Sequence, residues 1–372
     1  MTNETCPNRC CHPKCRLESL YCSDVIQRFG QEAGRMKASD TKFFVILQGN
    51  QHYQVPLFQR PYTWDQNEWQ ILWDDLIETY EMGGDNHHFL GSLVTKSLPA
   101  TPESVSPFLV IDGQQRLTTL TILLAAIRDA VRETDPRAAE KIHDLYLTNR
   151  YASGLYQYKL LPTQADRQPY FSIIDGNANG DASLMSQSYR FFHRMLLESD
   201  PIEEDSDVKG VDLDRLEKII TGGLELVSIT LDVDDNEYRI FESLNAKGTP
   251  LSQADLLRNY FFMRIPAHEH ETAYHDVWMP MQLSLGNWLE EFFRYELMSY
   301  GWFVRRGDIY VEWQRRRLGK HNSDSLIDEL LILSHHSRYF KRLISPETEP
   351  HPEISRRIER LNRWDAQTTY PF

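Results

Sequence analysis

The chain has 372 residues, 41% hydrophobic and 12% aromatic, enough for two folded domains or one domain with a large extension. It lacks any run of about 18 apolar residues and its polar start lacks the apolar core of a signal peptide, so we expect a cytoplasmic protein without a membrane partner. The net charge of −14 argues against broad, non-specific nucleic-acid binding.

The amino-terminal stretch 1–35 is set apart by its cysteines. All five cysteines of the chain lie here, with His12 among them: Cys6, Cys10, Cys11, Cys15 and Cys22. They form no C-x-x-C pair and no second pair at zinc-finger spacing. We therefore predict a flexible extension, with a zinc site as the less favoured alternative. The folded part is expected to begin near Met36.

The first elements of the folded part form an α+β pattern. A short helical stretch over 41–49 leads into the segment 52–64, which two prolines restrict to an extended or loop form. Asp65 is a plausible N-cap for the helix that follows, whose apolar residues recur at helical spacing: Trp69, Leu72, Trp73, Leu76 and Ile77. Strands are predicted over 87–98 and 108–112.

The remaining elements are mostly helical. An apolar stripe predicts a helix over 114–131, and helical and irregular segments follow to 222. A strand over 224–233 precedes two helices, the second capped by Ser252 with Asp255 in register. The fold class is therefore α+β: a small mixed domain with inserted helices over 36–262, then an α-helical domain over 263–372. The sequence stops in mid-pattern, which suggests the front part of a longer protein.

The carboxyl-terminal part differs in charge from the rest. Residues 301–372 carry 13 Lys and Arg against 10 Asp and Glu. The arginines at 305–306 and 315–317 could form a local DNA-facing surface. A solvated helix face explains the same pattern and is the commoner case.

The stretch LVIDGQQRLTTL (109–120) carries the strongest chemical signal. Gly113 permits a sharp turn between strand and helix, and the first turn of a helix offers backbone N–H groups and a positive dipole end to an anion. Arg116 is placed to bind a phosphate through two nitrogens, and Gln114 and Gln115 to hold a water or a sugar hydroxyl. Asp112 suits a Mg²⁺ ion or an attacking water. An ordinary capped turn with solvent-facing side chains is the alternative.

Two further groups of residues fit the same chemistry. Gln59 and Arg60 precede Tyr62 and Trp64 on the proline-framed segment, where a cation and two aromatic rings could meet phosphate and base. The second group lies in or after the predicted helix–helix turn, and its members are Asn245, Lys247, Arg258 and Asn259. Packing and helix capping explain many of these residues equally well.

Four blocks carry a family resemblance: Q-R-P-Y-x-W (59–64), F-L-G-S-L (89–93), I-D-G-Q-Q-R-L-T-T-L (111–120) and F-E-S-L-N-A-K-G-T-P-L-S-Q-A-D-L-L-R-N-Y-F (241–261). Together they resemble the DGQQR-domain family, the GmrS-like amino-terminal domains of modification-dependent restriction enzymes, of the GmrSD type or the phosphorothioate-sensing SspE type. The resemblance covers roughly 36–262 and implies a ParB/sulfiredoxin-like fold. One position departs from it, since the family usually has Lys where this chain has Arg258.

The resemblance implies an anti-phage NTPase that uses GTP or ATP, with room for Mg²⁺. Its catalytic residues would be Asp112, Gln115 and Arg116. Its nucleotide-binding residues would be Gln59, Arg60, Gly113, Gln114, Asn245, Lys247, Arg258 and Asn259. No residue is predicted to hold a metal ion independently of the nucleotide. Homo-oligomers are compatible with the resemblance.

Modified DNA is the expected effector of this NTPase. A phosphate sulfur is weakly hydrated, so a mixed apolar and cationic segment favours a phosphorothioate mark over glucosylated hydroxymethylcytosine. The predicted sensing residues are Tyr53, Pro56, Phe58, Tyr62 and Trp64.

A nuclease is expected outside this sequence. No H-N-H constellation is found, so DNA cutting by this chain is not expected, and an HNH-type nuclease domain would be supplied in the same or a partner chain. The alternative function is a regulatory switch that binds nucleotide or DNA without hydrolysis.

Overall fold

The computed structural model describes residues 37–82, 88–99, 105–178, 181–198, 212–232, 251–301, 303–317, 323–364 and 370. The chain forms two compact units. The first, the sheet unit, comprises Met1–Pro56 and Arg60–Glu237, and the second, the helical unit, comprises Leu57–Gln59 and Tyr238–Phe372. The predicted cysteine extension, Asn245 and Lys247 lie outside the described residues.

The sheet unit is built on a mixed six-stranded sheet. Its strands are β1 (Lys37–Lys42), β2 (Gln51–Gln54), β3 (His88–Ser97), β4 (Ser106–Asp112), β5 (Leu160–Leu161) and β6 (Leu224–Leu231). Their order is β1-β6-β3-β4-β2-β5. The β1–β6 and β3–β4 pairs are antiparallel, whereas β6–β3, β4–β2 and β2–β5 are parallel.

Seven α-helices accompany this sheet in the described residues: α1 (Phe43–Leu47), α2 (Gln66–Met82), α3 (Gln114–Val131), α4 (Pro136–Ile142), α5 (Arg167–Ile174), α6 (Leu184–Glu198) and α7 (Leu213–Lys218). Helix α3 is buried along most of its length. Most of its positions carry Leu, Ile, Ala or Thr, so few of its side chains are charged or long and polar. Helix α3 lies in the core. Its first turn follows directly on the end of β4.

The helical unit has its own core. Its described α-helices are α8 (Gln253–Phe262), α9 (Met279–Leu285), α10 (Leu289–Met298), α11 (Ile309–Arg317), α12 (Ser323–Ile344) and α13 (Pro352–Arg363), besides a single turn at His270–Thr272. The side-chain hydroxyl of Ser252 caps α8 by accepting from the backbone N–H of Asp255, as predicted. The core is rich in aromatic rings, among them Phe261, Trp278 and Phe293.

The mixed sheet and its helices agree with the predicted α+β class, and the predicted domain boundary at 262 remains a prediction. The likeness to the ParB/sulfiredoxin fold remains a prediction. Strand β1 was not predicted, because its sequence KASDTK has no apolar alternation and its strand form follows from pairing with β6. Among the described helices, none is both long enough and apolar enough to cross a membrane.

Candidate functional site

The turn at 112–116 connects the end of β4 to the start of α3. Asp112 ends the strand opposite Val94 of β3, and Gly113 follows with a φ of 92°. A Cβ at Gly113 would lie 3.0 Å from both the Ser92 carbonyl oxygen and the Leu93 side chain, so only glycine fits. Gly113 provides no side-chain cap, which leaves the first turn of α3 without the usual N-cap acceptor.

Arg116 is fixed on this turn by the backbone of β3. Its Nη1 donates to the carbonyl oxygen of Leu90 at 2.5 Å, and its Nη2 lies 3.8 Å from Asp112 Oδ2. The two side chains remain 30% and 28% exposed, respectively. The guanidinium is therefore oriented from one side and accessible from the other.

Gly91 makes room for this guanidinium. It has a φ of 98°, and a Cβ at this position would lie 1.9 Å from Arg116 Nη1. The register of β3 against β6 shifts between Phe89 and Ser92, so the strand bulges at this glycine. Sequence reasoning assigned no role to Gly91, although the F-L-G-S-L block was a visible signal.

The two glutamines of the turn bind backbone rather than pointing to solvent. Gln114 Nε2 donates to the Arg60 carbonyl oxygen at 3.2 Å, and Gln115 Nε2 donates to that of Pro61 at 3.1 Å. The Thr63 N–H donates to Gln115 Oε1 at 2.9 Å. Both ends of the Gln115 amide are thus bonded to the 61–63 backbone, so the side chain positions this segment, and the catalytic role predicted for it remains a prediction.

Tyr62 anchors the same segment from the core. Its hydroxyl lies 2.7 Å from the Thr119 hydroxyl and accepts from Trp69 Nε1 at 2.8 Å. Its backbone N–H donates to Asp166 Oδ2 at 2.8 Å. Burial raises the pKa of Tyr62 to about 12, so the phenol stays neutral. These contacts hold Arg60 and Thr63 beside the start of α3.

The expected DNA-sensing side chains are mostly buried, which leaves little of the apolar rim that was predicted to meet a phosphorothioate. Tyr53, Pro56 and Tyr62 are buried in the sheet unit, and Phe58 is buried in the helical unit. Trp64 is half-buried and packs on the sheet-unit core. Burying an aromatic ring in the core is more favourable than exposing it to water, unless a ligand covers the exposed ring.

The predicted residues of α8 hold the helical unit together. Arg258 is 3% exposed. Its guanidinium donates to Asp255 Oδ1 at 2.6 Å, to Gln282 Oε1 at 3.3 Å and to the Phe58 carbonyl oxygen. Asn259 is buried and donates to the Asp255 carbonyl oxygen at 2.9 Å, and Gln59 is buried in the same unit.

The space beside Arg116 limits how a ligand can approach. A cavity of about 20 Å³ lies there, lined by residues 90–93 of β3 and by apolar residues that include Phe43 and Leu117. It has room for roughly one water molecule. A ligand larger than water would therefore meet this turn from its solvent side, where the partly exposed Asp112 and Arg116 lie.

No group of three or more His, Cys, Asp or Glu side chains in the described ranges is arranged to hold a metal ion by itself. Mg²⁺ bound with a nucleotide takes most of its ligands from phosphate and water and needs only one or two carboxylates. Asp112 fits that requirement as a single, partly exposed carboxylate.

Comparison with known proteins identifies the family. The model for "GmrSD restriction endonuclease, N-terminal domain" matches residues 43–262, which is more than half of the chain. A search of curated proteins gave no match. The matched range contains the 112–116 turn, the Gly91 bulge and helix α8. The chain therefore belongs to the family of GmrSD restriction endonuclease N-terminal domains, which gives it a role in restriction.

Proposed function

We propose that the turn at 112–116 binds and hydrolyses a nucleoside triphosphate, and that this turnover controls an HNH-type nuclease domain in the same or a partner chain. The observation that carries the proposal is the Arg116 guanidinium, which is held by the Leu90 carbonyl beside a carboxylate and remains 30% exposed. Such pre-orientation is what electrostatic stabilisation of a transferring phosphoryl group requires.

Each residue of the turn then has a distinct task. Arg116 binds a phosphate through the guanidinium nitrogens that the Leu90 carbonyl leaves open, and the first N–H groups of α3 bind further phosphate oxygens. Gln114 and Gln115 keep Arg60 at the edge of this site through the segment's carbonyls. GTP and ATP both satisfy this phosphate chemistry.

Asp112 supplies the carboxylate for the water step. Mg²⁺, when bound with the nucleotide, neutralises phosphate charge and would use Asp112 as its protein ligand. In the reaction, water forms a bond to the γ-phosphorus and the bond to the bridging oxygen of the β-phosphate breaks. Asp112 orients the water, and the water proton leaves with the released phosphate.

Modified DNA is proposed as the effector, with a phosphorothioate mark favoured over a glucosylated base. The exposed part of the proline-framed segment supports a contact of this kind, since Pro61 and Thr63 are exposed and Arg60 and Trp64 are half-exposed. A cation beside an apolar surface suits a weakly hydrated sulfur. The buried rings of Tyr53, Phe58 and Tyr62 do not contribute to it.

The experiment is phosphate release by the chain with GTP and with ATP. Each nucleotide is tested without DNA, with plain DNA, with phosphorothioate DNA and with glucosylated DNA, for the wild type, Arg116→Ala and Asp112→Asn. Arg194→Ala is the matched control, because Arg194 is 57% exposed on α6 and pairs with Glu198.

The proposal predicts turnover that rises with phosphorothioate DNA, is lost in both turn variants and persists in the control. Nucleotide binding without turnover above the variants would replace it with the binding-switch function. Stimulation by glucosylated DNA alone would keep the NTPase and change the mark.

A further inference from the structure

Helix α13 of the helical unit carries an arginine face that the nucleotide proposal does not use. The helix spans Pro352–Arg363 and has no buried residue. At 3.6 residues per turn, its four arginines fall within about 120° of arc on one side of the helix. All four are exposed, and they are Arg356, Arg357, Arg360 and Arg363. We call this side the arginine face.

The opposite side of α13 is bound to the end of α12 and the turn that follows it. The Ser355 hydroxyl donates to the Pro346 carbonyl oxygen at 2.9 Å, and Asn362 Nδ2 donates to the Leu343 carbonyl oxygen at 2.7 Å. Since Ser355 and Asn362 lie seven residues apart on one stripe, these two bonds fix the rotation of the helix about its axis. The arginine face is therefore held outward.

The four guanidinium groups are not neutralised by neighbours. In the part of the chain that the structure describes, none of them has an ion pair or a hydrogen bond, although Glu353 and Glu359 belong to the same helix. A solvated helix face usually places acidic and basic side chains four residues apart, so that they pair. Like charges at this spacing, such as Arg356 and Arg360, repel each other. A polyanion on the face would relieve that repulsion.

The arginines at 305–306 and 315–317, which the sequence suggested as a DNA-facing surface, are in part bound within the helical unit. Arg306 forms an ion pair with Glu291, and Arg315 Nη1 lies 3.3 Å from Glu312 Oε1. Arg316 donates to the Leu297 carbonyl oxygen at 2.8 Å. These contacts make the arginine face of α13 the better candidate for an anionic partner.

We propose that the arginine face of α13 binds the phosphate backbone of duplex DNA, independently of base sequence. The face extends about 10 Å along the helix, a length over which duplex DNA carries about six phosphates. Guanidinium groups suit them, because each can donate two parallel N–H bonds to one phosphate. The proposal rests on DNA as the partner in the proposed function, but it does not depend on nucleotide turnover at the 112–116 turn.

Trp364 adds an aromatic ring to the same side. It follows Arg360 by four residues, which places it next to that arginine, and it is 86% exposed. Aromatic rings beside cations are common where proteins bind nucleic acids, because a ring can pack on a sugar or a base of the bound strand.

An anionic membrane surface is the competing partner. A helix that lies in a membrane surface buries a continuous apolar face in the lipid. On α13 and the residue after it, the exposed apolar side chains are Ile354 and Trp364, about 15 Å apart at the two ends. The arginines between them suit phosphates in water, and DNA is the partner that a role in restriction requires.

The test is fluorescence anisotropy of a labelled, unmodified duplex of about 20 base pairs with the full chain, at several salt concentrations between about 50 and 200 mM. Nucleotide is left out, so a failure of turnover at the 112–116 turn does not affect the result. The variant combines Arg356→Gln, Arg357→Gln and Arg360→Gln. Its matched control combines Arg150→Gln, Arg194→Gln and Arg315→Gln, which removes the same charge from three arginines that are 56%, 57% and 73% exposed. Thermal unfolding checks that both are folded.

The proposal predicts that the α13 variant weakens duplex binding by about 10-fold or more at low salt. The slope of log K against log salt concentration should become shallower by about 2–3, since each phosphate contact contributes about 0.9. The control should keep most of the affinity and the slope. Equal behaviour of the variant and the control, or no duplex binding by the wild type, would overturn the proposal. Binding to phosphatidylserine vesicles without binding to the duplex would assign the face to a membrane and overturn it as well.

Discussion

Two arginines of the motif blocks, Arg116 in the sheet unit and Arg258 in the helical unit, have opposite surroundings. Arg116 has one carbonyl contact and a carboxylate at 3.8 Å, and it keeps 30% of its side chain exposed. Arg258 is 3% exposed, and its guanidinium donates to a carboxylate, an amide oxygen and a backbone carbonyl. The Arg116 guanidinium is accessible to a ligand, whereas the Arg258 guanidinium is buried and bonded within the helical unit.

The comparison shows that the motif blocks combine accessible polar residues with buried ones that hold the local structure in shape. The same division exists inside the 112–116 turn, where Asp112 and Arg116 are accessible and both glutamines bind the backbone of 60–63. Side-chain type alone does not separate the two groups, because amides and guanidinium groups serve both tasks.

The largest expected effect is on turnover in Arg116→Ala. Loss of a pre-oriented donor to a transition-state charge costs about 100-fold or more in rate. The free energy of unfolding should change by less than about 1 kcal/mol, since the Arg116 side chain is partly exposed and makes few contacts. Phosphate release and urea unfolding measure the two quantities. If Arg116→Ala lost stability as well as activity, Arg116 would have a structural role like that of Arg258.

Arg258→Ala should do the reverse. Removing the cation leaves Asp255 Oδ1 and the Phe58 carbonyl without the donors that Arg258 provides, which costs about 2–4 kcal/mol because Arg258 is buried and Asp255 is partly exposed. Urea unfolding tests this, with Arg194→Ala as the control, because Arg194 and its partner Glu198 are 57% and 65% exposed. An equal, small effect in both variants would contradict the structural role.

Gly91→Ala should disturb Arg116 without removing it. The added Cβ would meet the guanidinium at 1.9 Å, and a φ of 98° adds strain, so we expect a loss of about 1–3 kcal/mol and a marked fall in turnover. Gly49→Ala is the matched control, since Gly49 has a φ of 79° but open space around its Cβ position. The control should lose stability only. Equal turnover in the two variants would refute the role of Gly91.

Lys159 gives a smaller, pH-dependent effect and completes the comparison of cations. It is buried, with Nζ donating to the Gly49 carbonyl oxygen at 2.5 Å and to Asn149 Oδ1 at 3.1 Å. Burial lowers the pKa of Lys159 to about 8, below the value of about 10.4 in an unfolded chain. The unfolded chain therefore binds more protons between these two values, and the free energy of unfolding rises with pH across that window.

The check is urea unfolding of the wild type and Lys159→Met at pH 7.5 and pH 9.5. The difference between them should shift in favour of the wild type by about 1–2 kcal/mol at the higher pH. A difference that is independent of pH would show that Lys159 keeps an ordinary pKa.

Much of the fold follows from local sequence patterns. The predicted helix over 114–131 is α3, and the glycine expected to take positive φ at the turn does so. Helix α2 and strands β3, β4 and β6 match runs with clear apolar patterns. Strands β1 and β5 were not predicted, because a polar hexapeptide and a two-residue strand owe their form to their partners.

The strand–turn–helix geometry at 112–116 was predictable from the sequence, whereas most contacts of its side chains were not. Gln114 and Gln115 bind carbonyls 54 residues away in sequence, and the space for Arg116 comes from Gly91 on another strand. Such contacts depend on tertiary packing. The sequence alone was compatible with exposed rings at Tyr53 and Tyr62, whereas both rings are buried in the structure.

The most direct test of nucleotide binding at the turn is hydrogen–deuterium exchange of the peptide spanning 113–120, with and without a non-hydrolysable GTP or ATP analogue. Wild type and Arg116→Ala are compared at the same nucleotide concentration. The account predicts slower exchange of the first N–H groups of α3 in the wild type on nucleotide addition, and no change in the variant. Protection that is absent from this peptide in the wild type, or equal in Arg116→Ala, would contradict it.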